Sequence, residues 1–403
     1  MIATVAARAA ARVDPRWRVP VLAWAASRAL VVALAAVGSL ILGVPTRGTE
    51  PQVPDALALL GGWDTTWYLD IALRGYAHDV GQVGEVFTNL AFFPLLPALM
   101  AGAHELGLNP FVAGVLVSNA AFLGALVAFH ALSLRRLGER RAAWATWALA
   151  LAPPAVTASL AYTEGLALAA AAAAALAAAR GRFALAGLAA AAAALARPPG
   201  LLVALLVGLV ALCRDPSGAA GGAGRPSLGR RQLGRAALAV VPSLVALAAF
   251  LGWMAAARGS ATLPFEAQGA WDRGSPVLGL VTAAPDELAA GWGHVVNGRV
   301  GASWTAVARD VGFGALYLVL LVRLWRSEGG LRSPWVAYSA AALALPLSSG
   351  SVDSLARFGL LAFPLAWPAA DWLDASPRRR RLAAAAAVVG IVLLVAQLRI
   401  RAP

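Results

Sequence analysis

The sequence predicts an all-α, polytopic membrane protein from two observations. Apolar residues make up 60% of the 403 residues, and the mean hydropathy is +0.72, far above the values of soluble domains. Hydrophobic runs also alternate along the whole chain with short clusters of arginine. Because backbone groups in lipid must be hydrogen-bonded within the protein, we expect the hydrophobic runs to be helices.

Charge and cysteine content exclude several classes of protein. The formal net charge of +13 comes from arginine, since the chain has no lysine. The arginines flank hydrophobic runs, which is typical of cytoplasmic membrane flanks and not of a nucleic-acid-binding surface. The single cysteine, Cys213, excludes an internal disulfide. The first apolar run, 19–44, lacks a convincing cleavage site, so we expect it to be retained as a span.

The arginine clusters set the expected topology. If they face the cytoplasm, the N-terminus is cytoplasmic and the segments between the clusters face outward. The clusters lie at 135–141, 180–182, 214–235, 323–332 and 378–381. The apolar segment 92–108 is too short for a span, so we interpret it as a re-entrant or interfacial helix. The pattern then predicts about eleven transmembrane helices.

We expect a single integral membrane domain over residues 1–403. Its predicted loops are a helical first extracytoplasmic loop at 45–90, a cytoplasmic Gly/Ser/Arg loop at 213–235 and an extracytoplasmic loop at 258–303. The alanine-rich stretch 167–196 predicts two thin helices that pack closely, since small side chains let membrane helices approach each other.

The first outer loop holds the richest polar sequence, GGWDTTWYLDIALRGYAHDVGQVGEVFTNLAFFPLLP. One interpretation is an amphipathic helix at the membrane interface, where Trp and Tyr are enriched. Asp64 follows Trp63 at an expected helix start, so it is either a helix cap or a functional carboxylate. Asp70 falls on a different face of that helix and is expected to be solvated.

Three further outward segments place charge beside apolar sequence. Glu164, in SLAYTEGL, enters an apolar helix, which is costly unless the carboxylate is paired or hydrated and therefore indicates function. Arg197, in LARPPGL, runs against the positive-inside trend, so it either binds an anionic headgroup or snorkels to the interface. Arg357, in SVDSLARFGL, lies one helical turn from Asp353 and could simply pair with it.

Several common site motifs are absent from the sequence. It has no Walker loop, no dinucleotide fingerprint, no DxD nucleotide-sugar motif and no metal-spaced His/Cys set. We therefore expect no cofactor and no metal ligands, although the sequence leaves open whether a divalent cation assists. What remains is an outward-facing site of carboxylates, arginines and aromatic rings. Such a site suits a sugar, whose hydroxyls donate to carboxylates while its faces stack on rings.

The order of the polar segments resembles a known family. WDTTWYLDIALRGY followed by AFFPLLP resembles the opening signature of the GPI mannosyltransferase II (PIG-V) family and its bacterial relatives. Later family segments are matched in the same order by SNAAF, LAPPAVTASLAYTEGL, ARPPGL, FEAQGAWDRG and SLARFGLLAFP. These short collinear motifs cover most of the chain. The chain departs from the family in its Gly/Ser/Pro cytoplasmic insert and its high alanine content.

The resemblance implies a GT-C-type integral membrane glycosyltransferase in a bacterial cell membrane. Such enzymes transfer a sugar, typically mannose, from a polyprenyl-phosphate-linked donor on the extracytoplasmic side. The acceptor would be an extracytoplasmic glycan or lipid, and the reaction would invert the anomeric carbon. The resemblance also implies membrane lipids as partners and no nucleic acid.

The resemblance assigns roles to residues of this sequence. Asp64 matches the family's first-loop aspartate, the expected general base, since a sugar hydroxyl is a poor nucleophile until its proton is accepted. Arg197 and Arg357 are the candidates for binding the donor phosphate, because guanidinium grips phosphate in bidentate fashion. Sugar or acceptor binding is assigned to Trp63, Tyr76, Tyr162, Glu164, Gln268 and Trp271.

Two other classes of function stay open. A transporter or flippase of lipid-linked sugars would place charges at mid-span and broken helices in both halves of the fold. A noncatalytic membrane scaffold would tolerate the loss of Asp64. Within the transferases, the sugar could be one other than mannose.

Overall fold

The computed structural model describes residues 15–42, 52–213, 228–271, 289, 302–348 and 352–399. Within these ranges the regular elements are helices, and Val83 and Val86 form an isolated bridge. The predicted all-α class is therefore confirmed for the described chain. Parts of the predicted loops 45–90, 213–235 and 258–303 lie outside the described residues.

The described part of the N-terminal half contains eight α-helices, joined in part by short 3₁₀ helices. The α-helices are α1 Pro15–Leu42, α2 Asp64–Arg74, α3 Leu95–Glu105, α4 Pro110–Leu137, α5 Glu139–Ala150, α6 Glu164–Ala179, α7 Phe183–Ala196 and α8 Leu202–Leu212. The 3₁₀ helices are Asp55–Leu60, Asn89–Ala91, Pro153–Ser159 and Pro198–Leu201. In the described part of the predicted first loop, 52–90, residues 55–60, 64–74 and 89–90 are helical, whereas 75–88 are not, so the predicted helical loop is confirmed in part.

The C-terminal half continues with longer helices and a segment of short turns. The α-helices are α9 Arg230–Arg258, α10 Leu263–Glu266, α11 Ala302–Glu328, α12 Pro334–Leu347, α13 Leu355–Phe358, α14 Ala366–Asp374 and α15 Pro377–Gln397. The 3₁₀ helices are Ala267–Trp271, Gly330–Arg332, Gly359–Leu361 and Phe363–Leu365. The predicted cytoplasmic loop 213–235 is shorter than expected, because α9 already begins at Arg230.

The described residues include four helices that are long and apolar enough to cross a membrane: Trp17–Ile41, Pro110–Leu137, Arg230–Arg258 and Pro377–Gln397. A fifth candidate is the pair Pro153–Ser159 and Glu164–Ala179, which is bent by 104° at its break. The chain is thus built as a membrane protein, but the predicted count of eleven spans is not confirmed. In the segment 92–108, α3 has 11 residues, about 16 Å of helix, which is too short for a bilayer core of about 30 Å.

Small residues let the central helices pack closely. More than half of the alanines of α6 and α7 are buried, and α4, α6, α7 and α9 pack in sequence across the core. A Cβ added at Gly165 would lie 2.5 Å from the Ser118 carbonyl oxygen, and one at Gly187 would lie 2.2 Å from the Leu238 carbonyl oxygen. The predicted close packing of the alanine-rich helices is therefore present, with glycines at the tightest crossings.

The two ends of α4 have different chemistry. Near its start, the Ser118 hydroxyl donates to the Tyr162 carbonyl at 2.9 Å. At its other end, about 27 Å away along the helix, Arg136 forms an ion pair with Glu328. The adjoining α5 adds pairs from Arg140 to Asp374 and from Arg141 to Asp371. The arginine-rich end and the Tyr162 end thus lie on opposite sides of the helix bundle.

Replacing Gly187 by Ala should lower the thermal unfolding temperature in detergent. The new methyl would overlap the α9 backbone, and overpacking of this kind costs about 1–3 kcal/mol. The matched control is Gly252→Ala on α9, where an added Cβ meets nothing within 4 Å. Because Ala favours a helix over Gly by about 0.5–1 kcal/mol, the control should be as stable as the wild type or more so. An equal fall in both variants would contradict the close packing of α7 against α9.

Candidate functional site

The start of α2 is held in a fixed position by contacts from distant parts of the chain. Trp63 precedes the helix with φ of 61°, a backbone region that non-glycine residues seldom adopt. Its indole N–H donates to the Leu398 carbonyl at 2.7 Å. The backbone N–H of Asp64 donates to the Tyr162 hydroxyl at 3.1 Å. These bonds set the direction in which the Asp64 side chain leaves the helix.

Two more charged side chains are placed by helix ends. Glu164 is the first residue of α6 and is buried, and the preceding Thr163 hydroxyl is 3.2 Å from the buried Tyr68 hydroxyl. Arg197 follows the last residue of α7 in extended backbone, and Pro198 then begins a 3₁₀ turn. The prolines therefore end the helix at Arg197.

Four buried charges from four segments form one network. Arg357 Nη1 lies 2.6 Å from Asp64 Oδ2 and 3.7 Å from Glu164 Oε1. Arg197 Nη1 lies 2.6 Å from Glu164 Oε1. The four side chains are between 3% and 17% exposed, and two positive and two negative charges cancel. Arg357 therefore forms ion pairs with the two distant carboxylates Asp64 and Glu164. Its spacing from Asp353 had suggested a local pair within one helical turn.

Burial and the neighbouring charges change the pKa of two groups at this site. Burial alone would lower the pKa of Arg357, but the carboxylates of Asp64 and Glu164 more than reverse this and raise it above its ordinary value. Burial, followed by the negative charge of Asp64, raises the pKa of the Tyr162 phenol well above its ordinary value. Arg357 is thus a permanent cation, and Tyr162 is a neutral hydroxyl that supports the start of α2.

One aromatic ring connects the two arginines. The guanidinium carbons of Arg197 and Arg357 lie 4.6 and 5.1 Å from the centre of the Phe358 ring, within the range of cation–π attraction. The Nε atoms of both arginines are buried, and no described residue accepts a hydrogen bond from them. Since buried donors are almost always satisfied, these N–H groups can bind an acceptor other than the described residues.

A cavity of about 600 Å³ lies against this network. The charged side chains of Asp64, Arg197 and Arg357 form one part of its wall, and the aromatic rings of Phe92 and Trp271 form another part. Apolar residues of α8 and α12 line another part: Leu202, Leu345 and Pro346. Among the described residues, no group of three or more His, Cys, Asp or Glu side chains is placed to hold a metal ion.

The remaining residues singled out from the sequence divide into two groups. Gln268 and Trp271 line the cavity, and the Gln268 amide donates to the Ala91 carbonyl at 3.0 Å. Tyr76 lies outside the lining, since its hydroxyl donates to the Phe92 carbonyl at 2.9 Å and its ring packs on Phe250 and Trp253.

Three others lie behind the cavity wall. The Trp63 indole donates a hydrogen bond to the Leu398 carbonyl. The Tyr162 hydroxyl accepts from the Asp64 backbone, and Glu164 forms an ion pair with Arg197. The sequence predicts a solvated side chain for Asp70, which lies on the same helix as Asp64. It is instead about one quarter exposed, and it accepts from Asn89 at 2.6 Å and pairs with Arg74.

Asp310 is a supporting residue that the sequence did not single out. Its side chain is fully buried, and its two oxygens accept from the backbone N–H groups of Ala356 at 2.8 Å and Ser354 at 3.3 Å. Tyr317 on the same helix donates to the Ala356 carbonyl at 2.7 Å. Ser354 has φ of 64°. Helix α11 thus fixes the position of the strained segment that leads into Arg357. In the sequence, the feature that could have indicated this role is that Asp310 is a carboxylate within an apolar stretch.

Replacing Asp310 by Asn should loosen the segment 354–358. An amide can accept with only one of its two terminal atoms, so one of the two backbone donors loses its partner, at a cost of about 1–3 kcal/mol. Hydrogen–deuterium exchange of the amides at 354 and 356 should therefore become faster. The control is Asp371→Asn, which removes an exposed ion pair worth at most about 1 kcal/mol. Unchanged exchange in Asp310→Asn would contradict this role.

Comparisons with known proteins place the chain far from characterised relatives. No family model matches the sequence, and no curated protein matches it. Similar solved structures include three of the Archaeoglobus fulgidus oligosaccharyltransferase: a complex with Zn and sulfate, an apo form, and a complex with an inhibitory peptide and a dolichol-phosphate.

These likenesses are distant. The three structures share 13%, 12% and 13% identity with this chain at TM-scores of 0.43, 0.45 and 0.43. The matches cover 92% of this chain and 52%, 56% and 55% of those chains, so this chain spans about half their length. The resemblance to GPI mannosyltransferase II remains a prediction from the sequence motifs.

Proposed function

We propose that this chain is a membrane glycosyltransferase of the GT-C type. It would transfer a sugar, mannose by the sequence resemblance, from a polyprenyl-phosphate-linked donor to a glycan or lipid acceptor. The observation that carries the proposal is the convergence of Asp64, Arg197 and Arg357 on one wall of a cavity that also has aromatic and apolar walls. This reaction needs a carboxylate as general base, a phosphate-binding site, an aromatic surface for the sugar and an apolar groove for the lipid.

The two arginines are suited to the donor phosphate. Each has a buried Nε donor that no described residue satisfies, and guanidinium binds phosphate oxygens through paired N–H groups. Negative charge builds up on the phosphate as its bond to the sugar breaks, and fixed cations stabilise that charge in a site of low dielectric constant. Glu164, at 2.6 Å from Arg197, would hold that guanidinium in place.

Asp64 is suited to the role of general base. Its Oδ2 is bound to Arg357, while its side chain lines the cavity and no described group donates to Oδ1. That oxygen can accept the proton of an acceptor hydroxyl as the hydroxyl oxygen attacks the anomeric carbon. The bond to the new oxygen forms as the bond to the phosphate oxygen breaks on the opposite face, so the sugar is transferred with inversion.

The other cavity walls fit the rest of the donor. Trp271 and Phe92 meet edge to face with ring centres 5.8 Å apart, and a sugar ring can stack on such a surface beside the Gln268 amide. Leu202 and Leu345, on α8 and α12, offer an apolar path for the polyprenyl chain. The cavity volume lies within the range of about 300–1,000 Å³ that is usual for small-molecule sites.

The proposed site would open on the extracytoplasmic side of a bacterial cell membrane. The ion pairs of Arg136, Arg140 and Arg141 lie at the far end of the helix bundle from Asp64. Arginine-rich membrane flanks favour the cytoplasm, so the N-terminus would be cytoplasmic and the cavity would face outward. A lipid-linked donor on that side is consistent with a sequence that lacks a nucleotide-sugar motif.

A flippase for lipid-linked sugars is the second candidate function. It is favoured by the 104° break between Pro153–Ser159 and α6, since broken helices at a charged site are typical of transporters. A flippase would move the donor across the bilayer without forming a new glycosidic bond. The two functions are therefore separated by whether the sugar becomes attached to an acceptor.

Replacing Asp64 by Asn should abolish sugar transfer. Loss of a general base lowers the rate by roughly 10²–10⁴-fold, measured as radiolabelled mannose transferred from polyprenyl-phosphate mannose in membranes with matched protein levels. The control is Asp70→Asn, a carboxylate on the same helix that pairs with Arg74 and lies outside the cavity, and it should retain activity within a few-fold.

Three results would count against the assignment. Equal activity in Asp64→Asn and wild type would remove Asp64 from catalysis. Wild-type membranes that transfer no mannose to any of several acceptors would contradict mannose as the sugar. Translocation of the lipid-linked sugar without transfer would favour the flippase.

A further inference from the structure

A second cavity lies on the other side of the segment that carries Arg357. It has a volume of about 860 Å³ and is formed by α5, α11, α14 and α15. Phe313, Leu316 and Ala387 are among its almost entirely apolar walls. Leu316 is 47% exposed, so the cavity is reached from the lipid-facing side of α11. None of the residues placed in the transferase site lines it.

Arginines line only one end of this cavity. Arg323, Arg380 and Arg381 belong to its lining, and all three lie at the end of the bundle that holds the Arg136–Glu328 pair. Tryptophans accompany them, and the Arg380 guanidinium lies 4.9 Å from the centre of the Trp144 ring. Arginine and tryptophan side chains grouped at the same end of a helix bundle are typical of a membrane interface.

Two carboxylates at this end of the bundle are already paired with other arginines. Asp371 pairs with Arg141 and Asp374 pairs with Arg140. Arg323 and Arg381 are exposed and form no ion pair with any carboxylate in the described part of the chain. The mouth of the cavity therefore carries surplus positive charge that an outside anion can neutralise.

The dimensions of the cavity match one class of occupant. From Phe313 to Arg323, α11 extends about 15 Å, so an alkyl chain lying along it would reach from the interface into the bilayer core. A chain buried there would cover apolar wall, while a phosphate at the mouth would lie among guanidinium groups. A zwitterionic lipid has the same chains, but its own cation would oppose the arginines.

We propose that this cavity is a binding site for an anionic phospholipid of the surrounding bilayer, with its phosphate at Arg323 and Arg381 and one acyl chain along α11 and α15. The site is separate from the proposed transferase site and does not depend on that function. Basic side chains near the membrane surface attract anionic lipids individually, and here an apolar groove that is open to the lipid adds shape complementarity to that attraction.

Native mass spectrometry of the purified protein tests the proposal with phosphatidylglycerol and phosphatidylcholine of the same acyl chains. Wild type should bind one phosphatidylglycerol in clear preference to phosphatidylcholine. The double variant Arg323→Gln/Arg381→Gln should weaken phosphatidylglycerol binding roughly thirtyfold. The matched control Arg135→Gln/Arg332→Gln removes two arginines outside the cavity lining and should keep the preference. Equal binding of both lipids by the wild type, or an unchanged preference in the cavity variant, would overturn the proposal.

A second pair of variants tests the acyl-chain groove. Ala387→Phe would fill the cavity and should weaken phosphatidylglycerol binding, whereas Val388→Phe, at the neighbouring exposed position outside the lining, should not. Equal binding in both variants would overturn the placement of the chain. Displacement of phosphatidylglycerol by a polyprenyl monophosphate at equimolar concentration would identify a different lipid as the occupant and would also contradict the proposal.

Discussion

The buried guanidinium of Arg357 is the constraint on which the site depends. A cation removed from water is stable only when opposite charges compensate for its lost hydration, and Asp64 and Glu164 supply that compensation. The three residues belong to segments far apart in the chain, so their meeting requires several local distortions. These are the positive φ angle of Trp63 and the broken helix before α6. In addition, Asp310 accepts two backbone hydrogen bonds from the segment before Arg357.

The same segment divides the two cavities. Phe358 lines the cavity of the charged network, and its neighbours Gly359 and Leu360 line the apolar cavity behind it. Gly359 is required there, because an added Cβ would lie 2.1 Å from the Tyr317 ring. A change in this segment would therefore alter both the position of Arg357 and the wall of the lipid groove.

The sequence predicted most of what depends on local pattern. Composition indicated helices, and the sequence around Glu164 indicated that an apolar helix begins there. It could not predict the pair between Arg357 and Asp64, which are separated by 293 positions, because only the folded chain brings them together. Likewise, no local pattern shows whether the Tyr76 hydroxyl meets a ligand or a backbone carbonyl. The span count was not confirmed because the interior contains short helices of 11 to 16 residues, to which length rules for isolated spans do not apply.

We propose that the buried charge network binds the phosphate of a lipid-linked donor. A structure of the protein with such a lipid would show whether the phosphate binds there. Electron cryomicroscopy of the protein with a polyprenyl monophosphate should show the phosphate within hydrogen-bonding distance of the Nε atoms of Arg197 and Arg357. The lipid chain should then leave between Leu202 and Leu345. A phosphate bound elsewhere, with the network between Asp64 and Arg357 unchanged and the cavity empty, would contradict the account.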